Sequence, residues 1–186
     1  EGHRILVHAA AGGVGSLLVQ FAKRRGATVF GTVSTPRKAD LIRSLGADEA
    51  IDYHRTDFVA AIMELTDGQG VHAVYDSVGK DTVRQSLKCL KPLGVLSNNG
   101  NASGPIGALD PLDLAEAGSV FFTRPHLASY IATPEERNQR ADDLHRLYRE
   151  GKLTVTIDRE LPLSMAKAAH DVIEERQSKG KVLLKT

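Results

Sequence analysis

The sequence predicts an α/β fold in which a doubly wound, parallel, six-stranded sheet carries helices on both faces. Short apolar runs typical of buried strands alternate with longer segments whose apolar residues recur at helical spacing. Gly26, Gly46 and Gly68 stand between successive segments, where turns are expected. An alternating order of strands and helices produces a parallel sheet, because the helix in each right-handed crossover returns the chain to the end of the sheet at which the previous strand began.

The pattern assigns these elements in order. Strands are predicted at residues 5–7, 27–33, 49–53, 71–76, 94–97 and 119–122, and helices between them at residues 16–25, 36–44, 57–65 and 82–90. A long helix over 134–150 has apolar residues at helical spacing, which predicts a stripe facing the core: Ala141, Leu144, Leu147 and Tyr148. The tail adds a strand at 153–157, a helix at 165–174 bounded by Ser164, and a strand at 181–184.

The segment between the first strand and the first helix has the pattern of a dinucleotide-binding turn. Ala10 stands in the first glycine place of that fingerprint, and Gly12 and Gly15 fill the second and third. Bare backbone at Gly12 lets a pyrophosphate approach, and Gly15 lets the helix lie close to the strand. The free amides at the helix start attract the anion. A tight turn without a ligand is the alternative interpretation.

The end of the second predicted strand indicates which dinucleotide is favoured. Proteins that bind the unphosphorylated form usually place Asp or Glu there, roughly 20 residues past the glycines. This chain instead has Ser34, Thr35, Pro36, Arg37 and Lys38. Hydroxyls and cations accommodate a 2′-phosphate that a carboxylate would repel, so these residues favour NADP(H). The alternative is that Arg37 and Lys38 are solvated residues in the first turn of a helix.

Composition excludes several classes of function. The 186 residues are 41% apolar with a formal net charge of +1, which gives no reason to expect nucleic acid or a membrane surface as a partner. Cys89 is the single cysteine, and the seven histidines lack metal-ligand spacing, so no metal site is expected. No apolar run approaches about 20 residues, and a cytoplasmic location is expected. No acid/base pair or nucleophile motif assigns a catalytic residue.

Four motifs, the first of which contains the glycine turn, are the basis of a resemblance that runs over practically the whole chain. They occupy residues 8–15, 46–53, 74–79 and 118–125, the last being followed by Tyr130 and a Thr-Pro-Glu-Glu run. With these motifs the chain resembles the zinc-independent quinone oxidoreductases of the medium-chain dehydrogenase superfamily, the group that includes zeta-crystallin. The resemblance implies a Rossmann-type domain over 1–150, with 151–186 completing a catalytic domain that relatives place before it. Because the chain starts at Glu1 just before the first strand, we expect an excised piece of a longer protein, inactive alone.

The resemblance also implies an activity and partners. The parent would transfer reducing equivalents from NADPH to a small molecule, a quinone or another electron-poor alkene. An enoyl or alkenal reductase with the same cofactor is an alternative, and so is a non-catalytic NADPH-binding module. The family further implies a homodimer joined through the edge strand at 119–122, whose apolar residues lack a charged residue to block pairing.

Particular residues receive roles from the same resemblance. The backbone amides of Gly12, Gly13 and Val14 would contact the pyrophosphate, and Ser34, Lys38 and Tyr53 would surround the 2′-phosphate with Arg176. Ser77 and Val78 would lie along the adenosine or ribose, and Asn99, Gly100 and Asn101 near the nicotinamide. Asn99 departs from relatives that carry Phe there, which puts aromatic packing on the cofactor in doubt. A turn-forming role stays open for Ser77, Asn99 and Asn101, and a packing role for Tyr53.

Overall fold

A single parallel sheet forms the centre of the molecule, as predicted. The computed structural model describes residues 1–186. The strand order is β3-β2-β1-β4-β5-β6, and every neighbouring pair is parallel. The chain leaves β3 at one edge and returns to pair β4 with the other side of β1, which places the switch in winding direction beside β1. The strands are β1 (Arg4–Val7), β2 (Thr28–Val33), β3 (Glu49–Asp52), β4 (Val71–Asp76), β5 (Leu90–Asn98) and β6 (Phe121–Thr123).

Helices cover both faces of this sheet. They are α1 (Gly15–Arg24), α2 (Pro36–Ser44), α3 (Phe58–Leu65) and α4 (Val83–Lys88). Side chains alternate along β1, so that Ile5 and Val7 pack in a core cluster with residues of α1 and α2, while Leu6 packs on the opposite face. That opposite cluster contains residues of α3 and α4, including Ile62 and Leu87. The doubly wound architecture is therefore confirmed.

The last two strands of the sheet differ in extent from the prediction. β5 begins at Leu90, four residues before the predicted start, with an irregularity in its register against β4. β6 covers Phe121–Thr123 and not the predicted 119–122. Ser119 has a positive φ of 55°, and the amide of Val120 donates to Leu114 in α5 (Pro111–Glu116). Residues 119 and 120 therefore belong to the turn that leaves this helix.

The long helix forms where predicted, but its apolar stripe is not in a core. α7 (Pro134–Arg149) follows the short helix α6 (Leu127–Tyr130), and it begins with a capping box between Thr133 and Glu136. No residue of α7 is buried: Ala141 and Leu147 are half-buried, while Leu144 and Tyr148 are exposed. The predicted core stripe is wrong for this chain, because no element of the chain packs over that side of the helix.

The C-terminal strands form a separate small sheet. β7 (Ile157–Pro162) pairs in parallel with β8 (Lys181–Lys185), and α8 (Ala166–Glu174) lies between them in sequence after one turn of 3₁₀ helix, Leu163–Met165. The strand predicted at 153–157 is wrong. Thr154 instead gives its backbone amide and carbonyl to the Gln20 side chain of α1, so strand pairing starts only at Ile157.

No helix combines the length and the apolar character that a membrane span requires.

Candidate functional site

The turn after β1 is built as the fingerprint predicts. The side chain of Ala10 is fully buried, and its methyl group occupies space that Gly31 on β2 leaves open, since a Cβ on Gly31 would lie 2.7 Å from that of Ala10. Alanine is therefore accommodated in the first glycine place. A Cβ on Gly15 would come 2.8 Å from the Cα of Ala10, so this position requires glycine for the helix to approach the strand.

A cleft of about 960 Å³ opens at the carboxyl ends of the central strands. Seven of the predicted site residues line it: Gly12, Gly13, Ser34, Lys38, Tyr53, Val78 and Arg176. Strand ends at the point where the winding reverses are where open α/β sheets bind their ligands. The structure thus brings residues from the turn after β1, the end of β2, the end of β3, the loop after β4 and the C-terminal tail to one place.

The end of β2 supplies a cation to this cleft. Thr35 caps α2 by accepting a hydrogen bond from the backbone amide of Lys38, which places Lys38 in the first helical turn. Its Nζ lies 3.3 Å from Ser34 Oγ and 2.6 Å from the carbonyl oxygen of Arg176. Partial burial lowers the pKa of Lys38, Asp158 opposes this effect, and the Arg176 cation adds to it. Lys38 forms no direct ion pair with a carboxylate.

The exposed Arg37, by contrast, does not line the cleft. The alternative of a solvated side chain therefore describes Arg37, whereas Lys38 points into the candidate site.

The remaining predicted residues lie near the cleft without lining it: Ala10, Val14, Ser77, Asn99, Gly100 and Asn101. Asn99 donates its backbone amide to the carbonyl of Asp76, and a Cβ on Gly100 would lie 3.0 Å from the Cα of Ser77. These two contacts hold the loops after β4 and β5 against each other. The side-chain oxygens of Asn98 and Asn99 are buried without a hydrogen-bond partner. The nicotinamide role of residues 99–101 stays a prediction.

A buried chain of hydrogen bonds at the floor of the cleft, where His8 and Thr32 line it, was not predicted. His8 is 2% exposed; its Nδ1 lies 3.0 Å from Thr32 Oγ1, and its Nε2 lies 3.0 Å from Ser86 Oγ. Ser86 donates its hydroxyl hydrogen to Asp76 Oδ2, so Ser86 Oγ accepts a hydrogen bond from the Nε2–H of His8, and Nδ1 then accepts one from the Thr32 hydroxyl. Thr32 Oγ1 in turn accepts the amide of Ala9 in the turn.

These hydrogen bonds connect the two loops that border the cleft. Asp76 accepts the backbone amides of Val78 and Gly79 after β4, while Thr32 holds the turn after β1. Burial lowers the pKa of His8 from 6.5 to about 4, although the nearby Asp76 carboxylate opposes the shift. His8 is therefore neutral near pH 7, which is the state in which one ring nitrogen can accept a hydrogen bond while the other donates one. The link between His8 and Ser86 is visible only in the folded structure, because the two residues are 78 positions apart in sequence.

The residues of the site fit a phosphate-bearing dinucleotide. Glycines leave the backbone of the turn bare, α1 begins there without an acidic residue in its first turn, and cations border the cleft. His, Cys, Asp and Glu side chains do not gather in groups of three that could hold a metal ion. Burial raises the pKa of the Cys89 thiol to about 12, so this cysteine is a core residue and not a nucleophile near pH 7.

Fold and site together define a dinucleotide-binding domain of the Rossmann type. Comparison with known proteins supports this classification. A family model described as zinc-binding dehydrogenase matches residues 13–146. A quinone oxidoreductase of Pseudomonas aeruginosa is 44% identical over 183 residues, and a 2-haloacrylate reductase of a Burkholderia species is 42% identical over 186.

Solved structures give the same result. The crystal structure of Escherichia coli quinone oxidoreductase complexed with NADPH matches 99% of this chain with a TM-score of 0.95 at 39% identity, and the match covers 57% of that chain. The chain belongs to the zinc-binding dehydrogenase family, within the medium-chain dehydrogenase superfamily, and it is similar there to the quinone oxidoreductases. Each of the two sequence relatives is matched over 98% of this chain, and the chain spans 56% and 55% of their lengths.

Proposed function

We propose that this chain is the NADPH-binding domain of an oxidoreductase that reduces quinones. The observation that carries the proposal is the cationic end of the cleft. Lys38 and Arg176 approach it from α2 and from the tail, and the end of β2 has Ser34 where a carboxylate would select the unphosphorylated cofactor. NADPH bound there would supply a hydride, and the chain's own residues would orient the dinucleotide by its phosphates.

Calorimetry with NADPH and NADH tests the choice of cofactor. One charge-assisted contact to the 2′-phosphate contributes about 1.5 to 3 kcal/mol, so the protein should bind NADPH at least about tenfold more tightly than NADH. Lys38→Met should reduce this preference by lowering NADPH affinity while leaving NADH affinity unchanged. Arg37→Met is the matched control, since Arg37 is the neighbouring cation outside the cleft. Equal affinities of the unaltered protein for the two cofactors would contradict the proposal.

An alkene reductase is the second candidate, favoured by the similarity to a 2-haloacrylate reductase. The two activities share a cofactor and differ in the acceptor. Steady-state oxidation of NADPH by the complete enzyme, with a quinone and with 2-chloroacrylate as acceptors, would separate them. NADPH binding without turnover of either acceptor would instead indicate the non-catalytic module.

We propose that residues 1–150 form the dinucleotide-binding domain and that residues 151–186 contribute to a catalytic domain. The supporting observation is that β7 and β8 pair with each other and with no strand of the large sheet. On this proposal the domain alone binds NADPH and does not reduce a quinone, because the acceptor site requires the second domain. Quinone-dependent NADPH oxidation by these 186 residues alone would contradict it.

We also propose a homodimer in which β6 pairs with its copy. β6 is an edge strand, bonded only to β5, and Phe121 on it is 60% exposed. An open apolar edge favours pairing with a second edge across a two-fold axis. Phe121→Lys should convert a dimer to a monomer in sedimentation experiments. Leu112→Lys is the control, because Leu112 is equally exposed but lies on α5. A wild-type monomer at micromolar concentration would contradict the proposal.

A further inference from the structure

One lysine of the C-terminal tail lies on the glycine turn. A Cβ placed on Gly13 would be 2.9 Å from Lys181 Nζ and 3.1 Å from its Cδ, so the end of this side chain lies against the bare backbone of that glycine. Lys181 is half-buried and lines the cleft. Nothing in the sequence pattern indicated this position, since 168 residues separate the two (181 − 13).

The backbone of the tail holds the lysine in place. The amide of Gly180 donates to Ala11 in the turn at 2.9 Å, and Gly12 and Gly180 form a parallel bridge. The amide of Lys181 then donates to the carbonyl of Thr156 at 2.8 Å. A side chain on Gly180 would collide with Thr156, whose Cβ would be 2.9 Å away. The approach of the tail to the turn is therefore fixed at the residue that precedes the lysine.

The ammonium group of Lys181 has no partner within the chain. It forms no ion pair, and no side-chain hydrogen bond leaves its Nζ. The turn beside it carries no charged side chain between Ala9 and Gly15. A cation held over free backbone amides at a helix start is arranged for an anion that both can contact.

We propose that Lys181 binds the pyrophosphate of the dinucleotide and so gives the C-terminal tail a second contact with the cofactor, beside that of Arg176. The inference rests on the proposed NADPH-binding function and extends it. Lys38 would bind the 2′-phosphate and distinguish NADPH from NADH, whereas Lys181 would bind the pyrophosphate, which both cofactors contain. The two lysines should therefore affect affinity in different patterns.

Titration calorimetry with NADPH, NADH and ADP-ribose tests this division. ADP-ribose carries the pyrophosphate without a 2′-phosphate or a nicotinamide. Lys181→Met keeps most of the apolar stem and removes the charge, and it should lower the affinity for all three ligands by a similar factor, about tenfold. Lys38→Met should lower the affinity for NADPH alone. Lys179→Met is the control within the tail, since Lys179 does not line the cleft and should leave all three affinities unchanged.

Two further measurements separate a loss of the lysine charge from a loss of folding. The melting temperature of the ligand-free protein should be the same for Lys181→Met and the unaltered protein, and Lys181→Arg should restore most of the affinity. Unchanged binding of ADP-ribose by Lys181→Met would overturn the inference, and so would a loss confined to NADPH. If the proposed function itself fails, the unaltered protein binds neither NADPH nor ADP-ribose, which is a different result.

Discussion

His8 should make the stability of the folded protein depend on pH between about 7 and 4. Its folded pKa of about 4 lies below the ordinary value of 6.5, because burial of the ring disfavours the charged form by more than the nearby Asp76 carboxylate favours it. The unfolded chain therefore binds a proton at a pH where the folded chain does not. The free energy of unfolding should be undiminished by this residue above the unfolded pKa and should decrease as the pH falls from 6.5 toward 4.

The size of the effect follows from the two pKa values. A pKa lowered from 6.5 to about 4 corresponds to about 3 kcal/mol in total, at 1.36 kcal/mol for each pKa unit. Only part of this loss is reached at intermediate pH. Relative to pH 7, the linkage relation gives a loss of about 1.2 kcal/mol near pH 5.5 and about 2.4 kcal/mol near pH 4.5.

Urea unfolding of the cofactor-free protein at several pH values, followed by circular dichroism, measures this loss. His8→Gln removes the titrating group, so its free energy of unfolding should vary less with pH than that of the unaltered protein, by the amounts given above. His145→Gln alters an exposed histidine on α7 and serves as the control, with the same pH dependence as the unaltered protein. Parallel curves for His8→Gln and the unaltered protein between pH 7 and 4.5 would refute the reasoning.

Three other substitutions or treatments have definite expected outcomes. Gly15→Val should lower the melting temperature and NADPH affinity together, because its side chain would meet Ala10; a variant as stable as the unaltered protein would contradict this. Gln20→Leu should speed amide hydrogen exchange at Thr154 by leaving the backbone of that residue unpaired, at a cost of about 1 to 3 kcal/mol, and unchanged exchange would count against the tie. Cys89, with a pKa of about 12, should react with iodoacetamide near pH 8 only after unfolding; rapid alkylation of the folded protein would show that the thiol is accessible.

The sheet could be predicted because each of its signals is local. The apolar run of β1, the glycines of the turn and the helical spacing of α1 lie within 24 residues of the chain start, and the alternation of strands and helices with right-handed crossovers then predicts a parallel sheet. The position of Lys38 near the end of β2 could also be predicted, since the end of β2 and the start of α2 are adjacent in sequence. Such signals need no knowledge of distant partners.

The errors arose where a local pattern needed a partner that it does not specify. Leu153, Val155 and Ile157 alternate with polar residues as a strand would, yet the first strand bond of this segment is at Ile157, because its partner β8 begins at Lys181 beyond a whole helix. In the same way the helical spacing and capping box of α7 specified a helix but not what would cover it. The places of His8 and Lys181 in the site could not be predicted for a related reason: Ser86 lies 78 residues from His8, and Gly13 lies 168 residues from Lys181.

The distribution of burial indicates where the chain can stabilise itself. Of the 26 buried hydrophobic residues, 24 lie in residues 1–120, and only Leu153 and Ala169 lie beyond. The large exposed hydrophobic residues show the opposite distribution, since 12 of 17 lie in residues 121–186, on β6, α6, α7, α8, the small sheet and the segments between them. Exposed apolar surface concentrated in this way usually marks contact with another protein surface. The proposed dimer would cover the part on β6, and the proposed catalytic domain the part on β7 and β8. Residues 121–186 should therefore depend on those contacts for stability, while residues 1–120 carry their own core.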